Sequence, residues 1–304
     1  MNAIIETDRL SHRYGKTEAV RELTLQVPEG AIYALLGPNG AGKTTTIQTL
    51  LNILTPTGGA ARVLGVDTRR LGPSELARIG YVSENQQLPE WMTVRQFVNY
   101  CKPMYPTWDN AFCEKLREDF GLPPERALKN LSRGMKMKAA LLVSLAYRPR
   151  LLVLDEPFSG LDPLTRDEFI RGVLELSEQE GWTVFVSSHD IDEVERLADS
   201  VGIINAGSLH LSESTESLQA RFRKIEFVGG GGKLPAALPP GWLVPEAAGL
   251  TVRFVESLYR GGESEAEITA RFPGAAQLAV TPMTLREIFL ALARTFKLNH
   301  AQNL

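Results

Sequence analysis

The chain has little cysteine, no large excess of either charge and no long apolar run. Cysteine occurs only twice, at Cys101 and Cys113. That spacing matches no zinc or redox pattern, so free thiols in a reducing compartment are expected. Net charge is −3, which leaves no global basic field of the kind that holds nucleic acid. No apolar stretch approaches the roughly 18 residues that a membrane-spanning helix needs. Met1 to Arg9 has no basic stretch followed by an apolar one, so no signal peptide is expected. The chain should be soluble, or be held at a membrane by something else. Apolar residues make up 43% of its 304 residues. That is enough for a real core in one large or two medium domains.

What is present centres on one stretch, Gly37-Pro38-Asn39-Gly40-Ala41-Gly42-Lys43-Thr44. It fits the phosphate-binding pattern of a glycine, four residues, then Gly-Lys-Thr. An apolar run, Ile32 to Leu36, precedes it and predicts a buried strand; Thr45 to Leu54 predicts a helix. Glycines let the backbone curl so that successive N–H groups and the helix N-terminus point at a polyphosphate. Lys43 would reach the outer phosphates, and the Thr44 hydroxyl would ligate Mg²⁺. Gly37 to Thr45 are the candidate nucleotide-contacting residues.

The remaining pattern predicts an α/β chain. Alternation in the first 30 residues predicts an antiparallel strand layer. Ala61 to Leu64 and Ile79 to Val82 look like further strands. From Thr93 to about Lys129 the spacing is helical, with Val94, Phe97, Val98 and Cys101 on one face. Ser132 to Tyr147 predicts a helix capped by Ser132 and ended before Pro149. Leu151 to Leu154 reads as a strand buried on both faces. Then come a helix from Pro163, a strand Thr183 to Ser187, a helix from Ile191 and a strand Val201 to Ile204. Such alternation argues for a mainly parallel sheet. Near residue 220 the character shifts to a glycine run, Gly229 to Gly232, and a Pro-rich patch, Pro235 to Pro245. Short alternating segments follow. Thr284 and Glu287 form a capping box before an amphipathic helix with Leu285, Ile288, Phe289, Leu292 and Phe296 on one stripe. Residues 221–304 are expected to form a small separate α+β domain.

Further motifs carry the chemistry. Leu151-Leu152-Val153-Leu154 runs into Asp155 and Glu156. Asp155, at the strand end, would hold Mg²⁺ beside the phosphate loop. Glu156 would sit near the terminal phosphate, where a base can activate water. Upstream stands Leu131-Ser132-Arg133-Gly134-Met135, in which Ser132 and Gly134 at a helix N-terminus make an anion site. Ser159-Gly160-Leu161-Asp162 follows the acidic pair, and Ser187-Ser188-His189 follows a strand.

Together these motifs resemble the ATP-binding cassette (ABC) ATPases, over about residues 3–220. The resemblance implies a P-loop NTPase with a RecA-like core, an antiparallel β subdomain and a helical subdomain at about 93–147. It implies ATP and Mg²⁺ as ligands. It makes Glu156 the base and His189 the residue that orients water on the terminal phosphate. Ser132 and Gly134 would face the ATP of a partner subunit, Asp162 would lie in the dimer-contact loop, and Tyr14 would stack on adenine. The usual signature is Leu-Ser-Gly-Gly-Gln, from which Arg133 and Met135 depart. A glutamine usually contacts Mg²⁺ after the strand equivalent to Ile79 to Val82. Here Glu84 takes that position, or Gln86 or Gln87 does if the loop is shifted.

The reading that follows is the ATP-hydrolysing subunit of an ABC transporter, most similar to bacterial subunits serving exporter-type permeases. It would sit on the cytoplasmic face of the membrane, as one of two copies on a multi-pass permease, with no nucleic acid partner. The alternative is a soluble ABC ATPase acting on nucleic acid or ribosomes. Such relatives usually carry tandem cassettes, long coiled coils or zinc-binding cysteines, and none stands in this sequence.

Overall fold

The computed structural model describes residues 2–229, 239 and 241–302, with side chains described to residue 295. The glycine run beyond Gly229, residues 235–238 and 240 of the Pro-rich patch and the Phe296 side chain lie outside the described residues. The elements follow in chain order. The first are β1 (Ala3–Tyr14), β2 (Thr17–Pro28), β3 (Ile32–Leu36), α1 (Lys43–Leu50), β4 (Gly58–Val63), β5 (Val66–Asp67), α2 (Pro73–Leu76) and β6 (Ile79–Ser83). Next come α3 (Val94–Cys101), α4 (Asn110–Asp119), α5 (Arg133–Leu145), β7 (Leu151–Asp155), α6 (Pro163–Glu180), β8 (Thr183–Ser188), α7 (Ile191–Leu197), β9 (Ser200–Asn205) and β10 (Ser208–Ser214). The last are α8 (Thr215–Arg221), β11 (Arg223–Val228), β12 (Trp242–Ala248), β13 (Thr251–Glu256), α9 (Gly262–Arg271), β14 (Ala276–Pro282) and α10 (Leu285–Gln302). They fall into two compact units, Met1–Ser212 and Glu213–Leu304.

The first unit holds two sheets. One is antiparallel, in the order β2-β1-β4-β5; the other has six strands, in the order β10-β9-β3-β8-β7-β6. In the second sheet β3, β6, β7, β8 and β9 run parallel. Every residue of β3, β7 and β8 is buried, as covered parallel strands require. The register aligns their ends: Leu36 pairs with Ser188, Asp155 with Ser187, and Ser83 with Asp155. The segments after β3, β6, β7 and β8 therefore emerge side by side at the carboxyl edge of the sheet, where α/β proteins bind ligands. Helix α1 packs against β7 and against β1, β2 and β4, and buries Ile47 and Leu50 in a core shared with Ile5, Leu25, Leu35 and Val153.

The expected helical stretch from Thr93 to Lys129 is interrupted. α3 passes into a 3₁₀ turn at Lys102–Met104, and α4 begins only at Asn110. Pro103 and Pro106 lie in the gap and cannot continue a helix. Thr93 starts α3 with a capping box shared with Gln96. α1 ends at Leu50, sooner than the expected Leu54, where Asn52 turns to φ +57°. Burial pushes the thiols of Cys101 and Cys113 up to about 11, which keeps both protonated and unreactive near neutrality.

The second unit is a four-stranded antiparallel sheet in the order β12-β13-β11-β14. Ile225, Phe227, Trp242, Val252, Phe254, Ile268 and Phe272 form its own core. Strand β12 runs through Pro245, the last residue of the Pro-rich patch. It lies at the sheet edge, its pairing shifts register between Leu243 and Glu246, and Val244 has φ +47°. An edge bulge is the one place a sheet tolerates proline. The capping box of α10 is formed: Thr284 N–H donates to Glu287 Oε2 at 2.9 Å and Glu287 N–H to Thr284 Oγ1 at 3.2 Å.

Candidate functional site

A cavity of about 220 Å³ opens at the carboxyl edge of the six-stranded sheet. Its lining includes Asn39, Gly40, Gly42, Lys43, Thr44, Thr45, Glu84 and Glu156, with Ala19 on its rim. The loop Gly37–Gly42 needs its glycines for separate reasons. At Gly37 a Cβ would meet Ile204 O at 2.2 Å, and at Gly42 it would meet Ala19 O at 2.4 Å. Gly40 and Gly42 also have φ of +79° and +107°, conformations that glycine adopts without strain. Ala41 N–H closes the loop onto Pro38 O at 3.1 Å.

Two chains of contacts start from side chains that line the cavity, Lys43 and Thr44. Lys43 is only 5% exposed. Its Nζ donates to Gly37 O at 2.6 Å and Pro38 O at 3.1 Å, and lies 3.0 Å from Glu156 Oε1. The other Glu156 oxygen, Oε2, stands 2.7 Å from His189 Nδ1. Beside this line, Thr44 Oγ1 donates to Asp155 Oδ1 at 3.1 Å, and Ser187 Oγ donates to the same oxygen at 2.7 Å. Burial raises the Asp155 carboxyl above the usual carboxylate range, against the lowering by these two hydroxyls. Glu156 sits at φ +52°, uncommon for a side-chain-bearing residue. Its N–H is held by Ser187 Oγ at 3.0 Å. Ser187 thus ties both acidic residues to β8. The sequence signals this residue only as part of the Ser187-Ser188 doublet before His189.

These residues fit a bound polyphosphate with Mg²⁺. Gly40 is open, with nothing within 4 Å of where a Cβ would stand, so its backbone can approach a ligand closely. Thr44 and Asp155 offer a hydroxyl and a carboxylate oxygen in contact, the hard donors that Mg²⁺ takes. Among the described residues no group of three or more His, Cys, Asp or Glu could hold a metal on its own. Mg²⁺ in a nucleotide site needs only one or two protein oxygens, because phosphates and water supply the rest.

Other expected residues stand apart from this cavity within the chain. Exposed Ser132 caps α5, accepting from Met135 N–H at 3.2 Å. Gly134 is required by packing, since a Cβ there would come 2.5 Å from Thr165 Cγ2. Exposed Asp162 caps α6, accepting from Thr165 N–H at 3.0 Å and from its hydroxyl at 2.6 Å. Tyr14 is 49% exposed, with its ring edge-on to His12 at 4.7 Å between centroids. Of the three residues considered after β6, Glu84 lines the cavity, while Gln86 and Gln87 do not.

Comparison with known proteins agrees with this geometry. A family model described as ABC transporter matches residues 20–159. The bacitracin transport ATP-binding protein BcrA of Enterococcus faecalis is 33% identical over 241 residues, 78% of this chain and 78% of its own. The lantibiotic transport ATP-binding protein SrtF of Streptococcus pyogenes is 32% identical over 72% of this chain and 96% of its own. Among solved structures, the ATP-binding subunit of an ABC transporter superposes with a TM-score of 0.65 at 26% identity, over 71% of this chain and 92% of that one. The chain belongs to the ATP-binding proteins of ABC transporters, and is an ATPase whose hydrolysis of ATP is coupled to transport.

Proposed function

We propose that two copies of this chain close over two molecules of ATP and drive a separate multi-pass permease, exporting its substrate from the cytoplasmic face of a membrane. The observation that carries the reading is the contact line Lys43–Glu156–His189 beside Thr44–Asp155, with Lys43, Thr44 and Glu156 lining one cavity. Lys43 and the loop N–H groups hold the phosphates. Thr44, Asp155 and Glu84 hold Mg²⁺, which when bound neutralises phosphate charge. Glu156 takes the proton of the attacking water, and His189 orients that water on the terminal phosphate. Tyr14 offers an exposed ring for adenine.

Ser132, Gly134 and Asp162 do not line their own chain's cavity. Ser132 and Asp162 are free at the surface to meet a second copy, so each site is completed in trans. Because Glu156 and His189 are both present, two identical chains would make two competent sites. Residues 221–304 form an accessory domain outside the phosphate chemistry, since all the phosphate-loop, acidic and histidine motifs stand before them. Export is supported by likeness to transport proteins for bacitracin and lantibiotic. Among the described residues no helix is long and apolar enough to cross a membrane, so this reading needs a separate permease.

Purification of the tagged full chain from detergent-solubilised membranes of its own host tests the partner. The expected result is stoichiometric recovery of one or two multi-pass membrane proteins. Recovery of ribosomes or nucleic acid in their place would favour the other class of ABC ATPase.

A further inference from the structure

Glu84 and Arg133 are two of the positions at which the chain departs from its family's pattern, and the fold joins these two. Arg133 Nη2 donates to Glu84 Oε1 at 2.8 Å. Ser159 Oγ donates to the same oxygen at 2.6 Å. The guanidinium lies against Gly160, where a Cβ would stand 2.5 Å from Arg133 Nη1. Gly160 also has φ +68°, so glycine suits this position on both counts. The segment after β6, the first residue of α5 and the segment after β7 thus converge on one carboxylate. The backbone is fixed as well: Glu84 N–H donates to Asp155 O at 2.9 Å.

The charge balance of the cavity gives this contact a purpose. Its ionisable lining residues are Lys43, Glu84 and Glu156, so two carboxylates face one ammonium where a polyphosphate must sit. Glutamine at position 84 would offer an oxygen without charge. Glutamate adds a negative charge that repels phosphate through a partly desolvated medium. An arginine on that carboxylate offsets the charge. Both hydrogen bonds fall on Oε1, so neither occupies Oε2.

We propose that Arg133 is a positioning residue for nucleotide binding in its own chain: it neutralises and orients Glu84, so that a carboxylate can stand in the cavity beside the phosphates. This deepens the reading of the cavity as the MgATP site and rests on it.

The test is a double-mutant cycle on the full-length chain. The probe is a fluorescent N-methylanthraniloyl ATP with Mg²⁺, titrated at low salt and at sub-micromolar protein. Arg133→Ala should weaken binding by about tenfold, because it leaves the Glu84 charge uncompensated. Glu84→Gln removes the charge that Arg133 offsets, and its own affinity sets the reference for the second half of the cycle. In the Glu84→Gln background, Arg133→Ala should change the dissociation constant by less than about twofold. Arg133→Lys should keep most of the affinity by keeping the charge. An equal loss in both backgrounds would mean that Arg133 acts on nucleotide directly or through the fold, and would overturn the proposal. So would no loss in either background. Lys43→Ala serves as the control for the site. If it binds like the unmodified chain, the reading of the cavity fails. If it loses binding while the cycle shows no coupling, only the role of Arg133 fails.

Discussion

Glu156→Gln is expected to keep MgATP affinity and to lose hydrolysis by roughly 10²–10⁴-fold, the usual cost of removing a general base. An amide has nearly the shape of the carboxylate but cannot accept the proton of water. The position is well held by its surroundings. Glu156 directly follows a fully buried strand, and Ser187 Oγ fixes its N–H at 3.0 Å. The side chain lies between Lys43 and His189 at 3.0 and 2.7 Å. Substitution should therefore leave the fold and the phosphate cradle in place. Phosphate release and equilibrium nucleotide binding, measured on the same preparation, separate the two effects. Near-normal turnover would reject Glu156 as the base, and loss of binding would mean that the residue holds the loop together.

Lys43→Ala is expected to weaken nucleotide binding by roughly ten- to a hundredfold, the range for removing a charge-assisted contact. The local electrostatics add to this. Without the ammonium, Glu84 and Glu156 are the ionisable groups left on the cavity lining, and both repel phosphate. The buried carbonyl of Gly37 also loses its donor, while that of Pro38 keeps Ala41 N–H, so some thermal stability should go too, since a buried acceptor left unpaired costs about 1–3 kcal/mol. Titration well below a demonstrated cooperative thermal transition isolates the binding term. Unchanged affinity in that folded variant would remove Lys43 from the phosphate site.

Much of the site's framework is legible in the sequence, because it depends on local pattern. An apolar run bounded by Gly37 predicts β3 at Ile32–Leu36, and the structure has the strand over the same residues. The run into Asp155 predicts β7, and Ser132 predicts its own capping role. The parallel register then brings Lys43, Asp155, Glu156 and His189 together. Contacts that depend on tertiary placement were less legible. Ser187 reaches Asp155 across 32 positions, Arg133 reaches Glu84 across 49 and Ser159 reaches Glu84 across 75. No periodicity links such residues. Gly134 shows a different limit. Its motif suggests close approach to a nucleotide, while the fold also requires it for packing against Thr165. In the second unit, β12 runs through Pro245 at the end of the Pro-rich patch, where an edge position with a register shift tolerates proline.

The central claim is that each site combines one chain's phosphate loop with the other's signature serine. Mixing two differently disabled variants tests it most directly. Lys43→Ala disables the loop. Ser132→Asp keeps a good helix cap but sets a carboxylate against the partner's phosphates. In a mixed pair, one site carries both defects and the other carries neither. Each variant alone should release phosphate near background, and an equimolar mixture at micromolar concentration should exceed the sum of the two severalfold. A mixture that only matches that sum, from two folded proteins that exchange partners, would contradict the shared site.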